Sequence, residues 1–302
     1  HVNLGHTLLA SGDWLAGFAE LEWRWKVQTR PAGLGAVPLW DGRDLNGGHL
    51  VLFGEQGHGD VLQFIRFAQM AREQAGAGRV SVVCHEALMA VVAQVSGVDD
   101  VYALDDEVHA VDACAPLMSL PVHLWQPDSV VMPTPPYLSR PNPRVLPGLG
   151  ARVGLVWRGN PEHANDASRS CLLSALMPLF NIKDAHFYAL QWGGMNQEEL
   201  ACVEGLKNVT DLGRDFDGFG EASEILAGLD VLICVDTAMA HLMAAMKQET
   251  WVMLPRVSDW RWRGPEGFSP WYPHANLFQQ TEDEDDWTGV AQRLAAALRK
   301  WC

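Results

Sequence analysis

LDVLICVDTAMAH, residues 229–241, is the stretch on which the reading of this chain turns. An unbroken apolar run from Leu229 to Val235 ends in Asp236-Thr237, small residues follow, and His241 comes later on the same stretch. A run of that length without polar alternation predicts a strand buried on both faces, as in parallel sheets. Residues 238–246 predict a helix, with Thr237 placed to cap it. A strand that feeds a capped helix aims free backbone N–H groups past the carboxyl edge of its sheet, a place suited to a phosphate. His241 falls in the second helical turn, within reach of the same anion. A histidine satisfied inside an ordinary helix fits the string equally well.

Working outward, strands and helices alternate. Residues 152–157, 186–191, 209–212 and 250–254 read as further strands, and 172–180, 197–204 and 221–227 as helices between them. Residues 287–300 read as a final amphipathic helix. Upstream, 49–53 and 79–84 are strand-like, 61–75 and 87–95 helical, and short apolar runs follow at 101–104 and 111–115. The proline-rich PTPPYLSRPNPRVLP, residues 133–147, is too stiff for an element interior and marks a boundary. The expectation is an α/β chain with two Rossmann-like domains, 37–147 and 148–302, and a ligand cleft between them.

Residues 1–36 are expected to be separate. NLGHTLLASGDWLAGFAELEWRW, residues 3–25, has helical apolar spacing broken at Ser11-Gly12-Asp13. Its Leu4-Gly5, Gly12-Asp13, Ala16 and Phe18 look like one tetratricopeptide repeat. A Gly- and Pro-rich linker follows at 30–38. A single repeat cannot bury its own apolar face, so it must pack on the following domain, on further repeats or on another subunit.

Composition bounds the function. The chain has 302 residues, 48% of them apolar, enough for two cores, and no segment suited to spanning a bilayer. It begins with His1 rather than Met, so we expect it to start inside a longer protein. A formal net charge of −15 argues against nucleic acid as the main partner but admits a small anion held by a few local cations. The six cysteines are scattered without zinc-like spacing, and Cys84 and Cys234 lie in strand patterns as core thiols, which fits a reducing, cytoplasmic setting. The thirteen tryptophans are roughly three times ordinary usage.

Three patches follow predicted strands. In GEQGHGD, residues 54–60, Gly57 and Gly59 permit tight turns and Asp60 opens the next helix. Asp60 is either a helix N-cap or a general base kept ionised to accept a proton from a hydroxyl. In WRGNPEHANDASRS, residues 157–170, Arg169 is the better cation for a diphosphate, Arg158 the alternative, and Ser170 a helix cap. Asp236, Thr237 and His241 form the third patch. Gln191, ending the predicted strand 186–191, is grouped with the ligand-contacting residues. The aromatic RVSDWRWRGPEGFSPWY, residues 256–272, follows the last strand, and Trp260 or Trp262 there either stacks on a ligand ring or anchors the core.

GEQGHGDVLQFIRFA, VGLVWRGNPEHANDASRS and LDVLICVDTAMAH, in this order, resemble the glycosyltransferases of family 9, which include the bacterial heptosyltransferases. The likeness is to the bacterial branch in which tetratricopeptide repeats precede the transferase module. It implies a GT-B fold, an acceptor-binding first domain and a second domain that binds a nucleotide-diphosphate sugar. It further implies inverting, metal-independent transfer with no cofactor beyond that donor. Asp60 matches the family's base, and Arg169 stands where the family places a cation, often a lysine. Asp236, Thr237 and His241 match an Asp-Thr-Gly-x-x-His donor motif, with Ala238 in place of the glycine. The acceptor is a glycan, lipid or protein. Two other readings compete: a non-catalytic scaffold whose repeat docks a protein or a second copy, and an epimerase of similar fold, which lacks this ordering of motifs.

Overall fold

The computed structural model describes residues 1–126, 129–264 and 267–302. The chain divides into two compact units, His1–Ser139 and Arg140–Cys302.

The first unit opens with a helical hairpin, α1 (Val2–Ala10) and α2 (Trp14–Leu21), with the Asp13 carboxylate capping α2 at the Ala16 N–H. Two glycines let the helices approach closely. A Cβ on Gly5 would lie 2.9 Å from the Gly17 carbonyl oxygen, and one on Gly17 would lie 2.7 Å from Leu9. The hairpin buries Leu9, Phe18 and Leu21, and the Phe18 ring meets Phe64 at 5.7 Å and Trp125 at 5.5 Å. Of the three covers open to an isolated hairpin, the α/β part of its own unit is therefore one it uses.

That part holds β1 (His49–Phe53), α3 (His58–Phe64), α4 (Ala68–Gln74), β2 (Arg79–Cys84), α5 (Glu86–Val92), β3 (Asp100–Ala103), β4 (Ala113–Pro116) and α6 (Leu120–Leu124). The sheet is parallel in the order β3-β2-β1-β4, with Leu50 in register with Val80 and Ala113. One helix was expected over 61–75. It starts earlier instead and breaks at a 3-10 turn, Ile65–Phe67, where the buried Arg66 Nε takes the Gln63 carbonyl at 2.7 Å and competes with the helical ladder.

The second unit contains β5 (Ala151–Val156), α7 (Asp166–Arg169), α8 (Met177–Phe180), β6 (Ala185–Ala189), α9 (Gln197–Val203), β7 (Val209–Asp211), α10 (Phe219–Ala227), β8 (Val231–Val235), α11 (Ala238–Ala245), β9 (Thr250–Leu254), β10 (Asn276–Gln279) and α12 (Thr288–Trp301). Its sheet is parallel in the order β10-β9-β8-β5-β6-β7. Every residue of β8 and β9 is buried, which is why their sequences do not alternate. The helix expected over 172–180 is a 3-10 turn, Leu173–Leu176, and then α8, because Pro178 has no N–H to continue a ladder and starts a new helix instead.

Burial pushes the thiols of Cys84 and Cys171 up to about 12 and that of Cys234 higher still, so these core cysteines are inert. Among the described residues, no helix is long and apolar enough to cross a membrane.

Candidate functional site

In the second unit the chain runs from β5 outward through β6 to β7, then returns to lay β8 on the other flank of β5. Connections leave β5 and β8 in opposite directions, so their carboxyl ends form a topological switch point, the usual ligand position in such sheets. The residues found there are those after β5 and β8 in sequence. Thr237 is extended (φ −144°, ψ 170°) and is the N-cap of α11, but its side chain makes no capping bond. Its hydroxyl oxygen is shielded from solvent and has no hydrogen-bond partner among the described residues. The first turn of α11 therefore lacks a side-chain cap beside an unused hydroxyl, an arrangement that accepts an anion. Ala238 is the first residue of the helix, and no positive φ is needed there.

Arg169 reaches this end of the sheet: Nη1 donates to the Asp236 carbonyl at 3.0 Å and Nε to Asp166 at 3.3 Å. Gly159 makes the approach possible, since a Cβ there would lie 2.6 Å from the Arg169 guanidinium. Ser170 does not cap a following helix. It ends α7, accepts from the Gly159 N–H at 2.9 Å and donates to Asp166 at 2.9 Å, so it ties the loop after β5 to α7. Arg158, the alternative cation, forms a bidentate pair with Glu199 at 2.7 and 2.9 Å. Gln191 lies beyond the end of β6, and its amide joins both peptide groups of Arg158 at 3.0 and 3.1 Å. Its side chain thereby fixes the loop after β5.

His241 is buried and shares a 2.9 Å hydrogen bond through Nδ1 with the Tyr272 hydroxyl, while Nε2 stands 3.9 Å from Asp236. Burial, and then repulsion from Asp259, raise the Asp236 carboxyl above its ordinary range, with Trp262, Arg261 and Arg169 pulling the other way. For Asp259 burial also pushes upward, but Arg261 and its backbone N–H outweigh it and hold that carboxyl low. Of the two readings of the aromatic loop, the geometry favours the anchor. Trp260, Trp262, Trp271 and Tyr272 are all buried, Trp262 stacks on Tyr272 at 5.6 Å and lies 5.1 Å from the His241 ring, so these rings anchor α11 instead of meeting a ligand. Pro265 and Glu266 of that loop lie outside the described residues. Sequence reading did not find Tyr272, Asp166 or the Asp259–Arg261 pair as site residues. Asp259 accepting from the N–H two residues on was a legible local turn signal.

In the first unit Asp60 is not the N-cap. Gly57 holds that position, and Asp60, in the first turn of α3, accepts the Gly57 N–H at 3.0 Å as the return half of a capping box. Burial, helped by His85 with ring centroids 4.8 Å apart, pushes the His58 imidazole below its ordinary range. Sequence reading also missed Arg24. The strand order reverses between β1 and β4, and there Arg24, 2% exposed, binds Glu55 after β1 at 2.7 and 2.8 Å and Ser119 after β4 at 2.9 Å. Glu22 joins through 2.7 Å bonds from Arg24 and Ser119. Among the described residues, no group of three or more His, Cys, Asp or Glu is arranged to hold a metal ion.

Two parallel α/β sheets, each with its chemistry-bearing loops at carboxyl ends, can be set beside known proteins. No protein-family model matches the chain. A family 9 glycosyltransferase from Veillonella parvula aligns over 86% of this chain and 97% of its own, with a TM-score of 0.57 and 11% identity. This chain shares the family 9 glycosyltransferase fold. The E. coli heptosyltransferase WaaC with ADP-2-deoxy-2-fluoro heptose aligns over 84% of this chain and 100% of its own, with a TM-score of 0.53 and 12% identity. By sequence, the FlbA protein of Caulobacter vibrioides is 28% identical over 158 residues, 50% of this chain and 26% of FlbA. The matched stretch thus spans about a quarter of that relative's length.

Proposed function

We propose that the protein is an inverting, metal-independent glycosyltransferase that moves a sugar from a nucleotide-diphosphate donor to an acceptor hydroxyl. The observation that carries this reading is the meeting of Arg169, the Asp236 carbonyl and the Thr237-headed α11 at the β5/β8 reversal. A guanidinium, an uncapped helix start and a free hydroxyl together suit a diphosphate. The fold shared with family 9 transferases supports it.

On this reading the Asp60 carboxylate takes the proton of the acceptor hydroxyl as that oxygen attacks the anomeric carbon. The bond from that carbon to the diphosphate oxygen breaks, and the electron pair leaves with the diphosphate. Arg169, the first amides of α11 and Thr237 stabilise the growing negative charge. A single displacement inverts the anomeric centre. His241, bonded to Tyr272, holds the start of α11 in place. The scaffold alternative rests on the repeat-like hairpin and on Ala238; of these, Ala238 sits in ordinary helical backbone and gives it no support.

The test is a thermal-shift panel of UDP-, GDP- and ADP-linked sugars, since a ligand that binds only the native state raises its melting point. At least one nucleotide sugar is expected to do so; a flat response to all of them rejects the proposal. With the donor identified, Asp60→Asn is expected to leave its affinity unchanged and cut turnover about 100-fold or more. A chelator is expected to leave turnover intact.

A further inference from the structure

We infer that binding of an anion at the start of α11 is coupled to uptake of a proton, which the side chains of Asp236 and His241 share. This rests on the transferase reading, in which the anion is a nucleotide-diphosphate sugar. Affinity for that donor then falls as pH rises.

The charges around Asp236 do not balance. Its largely buried carboxylate faces α11, where His241 Nε2 stands 3.9 Å away. The aromatic segment after β9 brings the Trp262 indole and a second carboxylate, Asp259, bound by Arg261 at 2.9 Å. Arg169 comes from α7, but Asp166 comes with it at 3.3 Å. β8 contributes the Cys234 thiol, which burial keeps neutral. Arg263 leans on Ser258 at 3.4 Å, and Arg158 is taken by Glu199. With His241 neutral, Asp166, Asp236 and Asp259 are thus met by Arg169 and Arg261, and negative charge is in surplus. A diphosphate docked on Arg169 and the first amides of α11 adds to that surplus. More charge of one sign in a poorly solvated site is costly, and a proton is the counter-charge closest to hand.

The side chains are arranged to hold that proton. His241 Nδ1 shares its 2.9 Å hydrogen bond with the Tyr272 hydroxyl, a group that both donates and accepts. The hydroxyl donates to Nδ1 of a neutral ring and accepts from it when the ring is charged, so neither state strands that nitrogen. Arg261 and the backbone keep Asp259 charged, whereas burial and Asp259 itself push Asp236 towards its neutral form. Close to each other and away from water, Asp236 and His241 titrate as one unit. A ligand that favours the protonated unit raises its proton affinity. Binding is therefore strongest at low pH and weakens once the free unit has lost its proton.

Calorimetry with the nucleotide sugar picked out by the thermal-shift panel tests this. Its diphosphate is esterified at both ends and does not titrate near neutrality, so a linked proton belongs to the protein. In Pipes, Mops and Tris at about pH 7, the apparent enthalpy should vary with the buffer's ionisation enthalpy and report uptake of about half a proton or more. Kd should rise at least about tenfold from about pH 6 to about pH 8. Asp236→Asn keeps the backbone carbonyl that binds Arg169 and imitates the protonated carboxyl. It should abolish the uptake and flatten the profile, with tighter binding than wild type at about pH 8. Donor binding without proton uptake by wild type, or uptake that persists in Asp236→Asn, overturns the coupling and leaves the transferase reading standing. The wild-type buffer series decides alone if the variant does not fold. No response to any nucleotide sugar sinks both.

Discussion

At position 237 one oxygen atom separates a helix cap from a ligand group. The Thr237 hydroxyl is shielded and makes no bond to α11 or to any other described residue. Removing a buried hydroxyl that has no partner takes away a desolvation penalty, so Thr237→Val should fold with stability equal to or above wild type by chemical denaturation. The same change should weaken nucleotide-sugar binding about tenfold, the worth of one hydrogen bond to a charged group, by calorimetry. Unchanged affinity would remove Thr237 from the site. The two arginines after β5 differ in the same way. Arg169→Ala should lower donor affinity and also cost some stability through its lost bonds to Asp166 and the Asp236 carbonyl, whereas Arg158→Ala should destabilise the unit, by leaving Glu199 without its bidentate partner, with no direct loss of a donor contact. Asp236 and Thr237 were legible because an apolar run ends abruptly in front of them. The place of Asp60 was not: the cap of α3 is Gly57, which has no side chain to signal a helix start, so Asp60 stood in the sequence as a candidate cap as well as a candidate base.

Elements were legible to the extent that their apolar period was uninterrupted. β1, β2 and β9 fall at the expected bounds. β10 was not expected, because its residues are only part-buried or exposed and carry little apolar signal. α7 escaped notice for the same reason, having no buried residue. Breaks inside helices came from a buried arginine and a proline acting through the backbone, which a hydrophobic pattern does not record. The connection into α12 offers a pH test. Glu284 accepts from Arg293 at 2.6 and 3.1 Å and from the Thr281 N–H at 2.8 Å, and these bonds hold its carboxyl down to about 2 from the ordinary 4.5. A carboxyl whose folded value is depressed binds its proton better in the unfolded chain, so its contribution is present above about 4.5 and lost as pH falls toward about 2. Glu284→Gln should therefore flatten the acid side of the stability profile, measured by urea unfolding between about pH 5 and about pH 3. An unaltered slope would mean that the bond network does not survive in solution.

At the scale of the whole molecule, alternation of strand and helix was enough to show two α/β units, but strand order was not readable from composition or period. That each sheet turns back on its first strand emerges only from pairing, and so does the role of Arg24, which bridges residues far apart in sequence. Arg24 and Glu55 have side chains 2% and 7% exposed, so removing one leaves a buried charge without its counterion. Arg24→Met should destabilise the first unit by about 3–5 kcal/mol, and adding Glu55→Met should recover much of that, because both charges then disappear together. Equal stability of the single and double variants in denaturant melts would show that the pair is solvated. The turn that follows the hairpin is thus bound to the α/β part through charge, as the hairpin itself is through Phe18.

The pairing of β5 with β8 has one more consequence. Val153 meets Val231 across a long intervening stretch that must itself first form two strands and their helices. With all the named strands parallel, neither sheet starts from a local β-hairpin. A growing polypeptide on the ribosome therefore carries one edge of β5, with the buried residues Val153–Val156, uncovered until about half of the remaining unit has been translated. That interval leaves the nascent chain open to self-association, and pairing between such distant segments is expected to slow its folding relative to a sheet built from local hairpins.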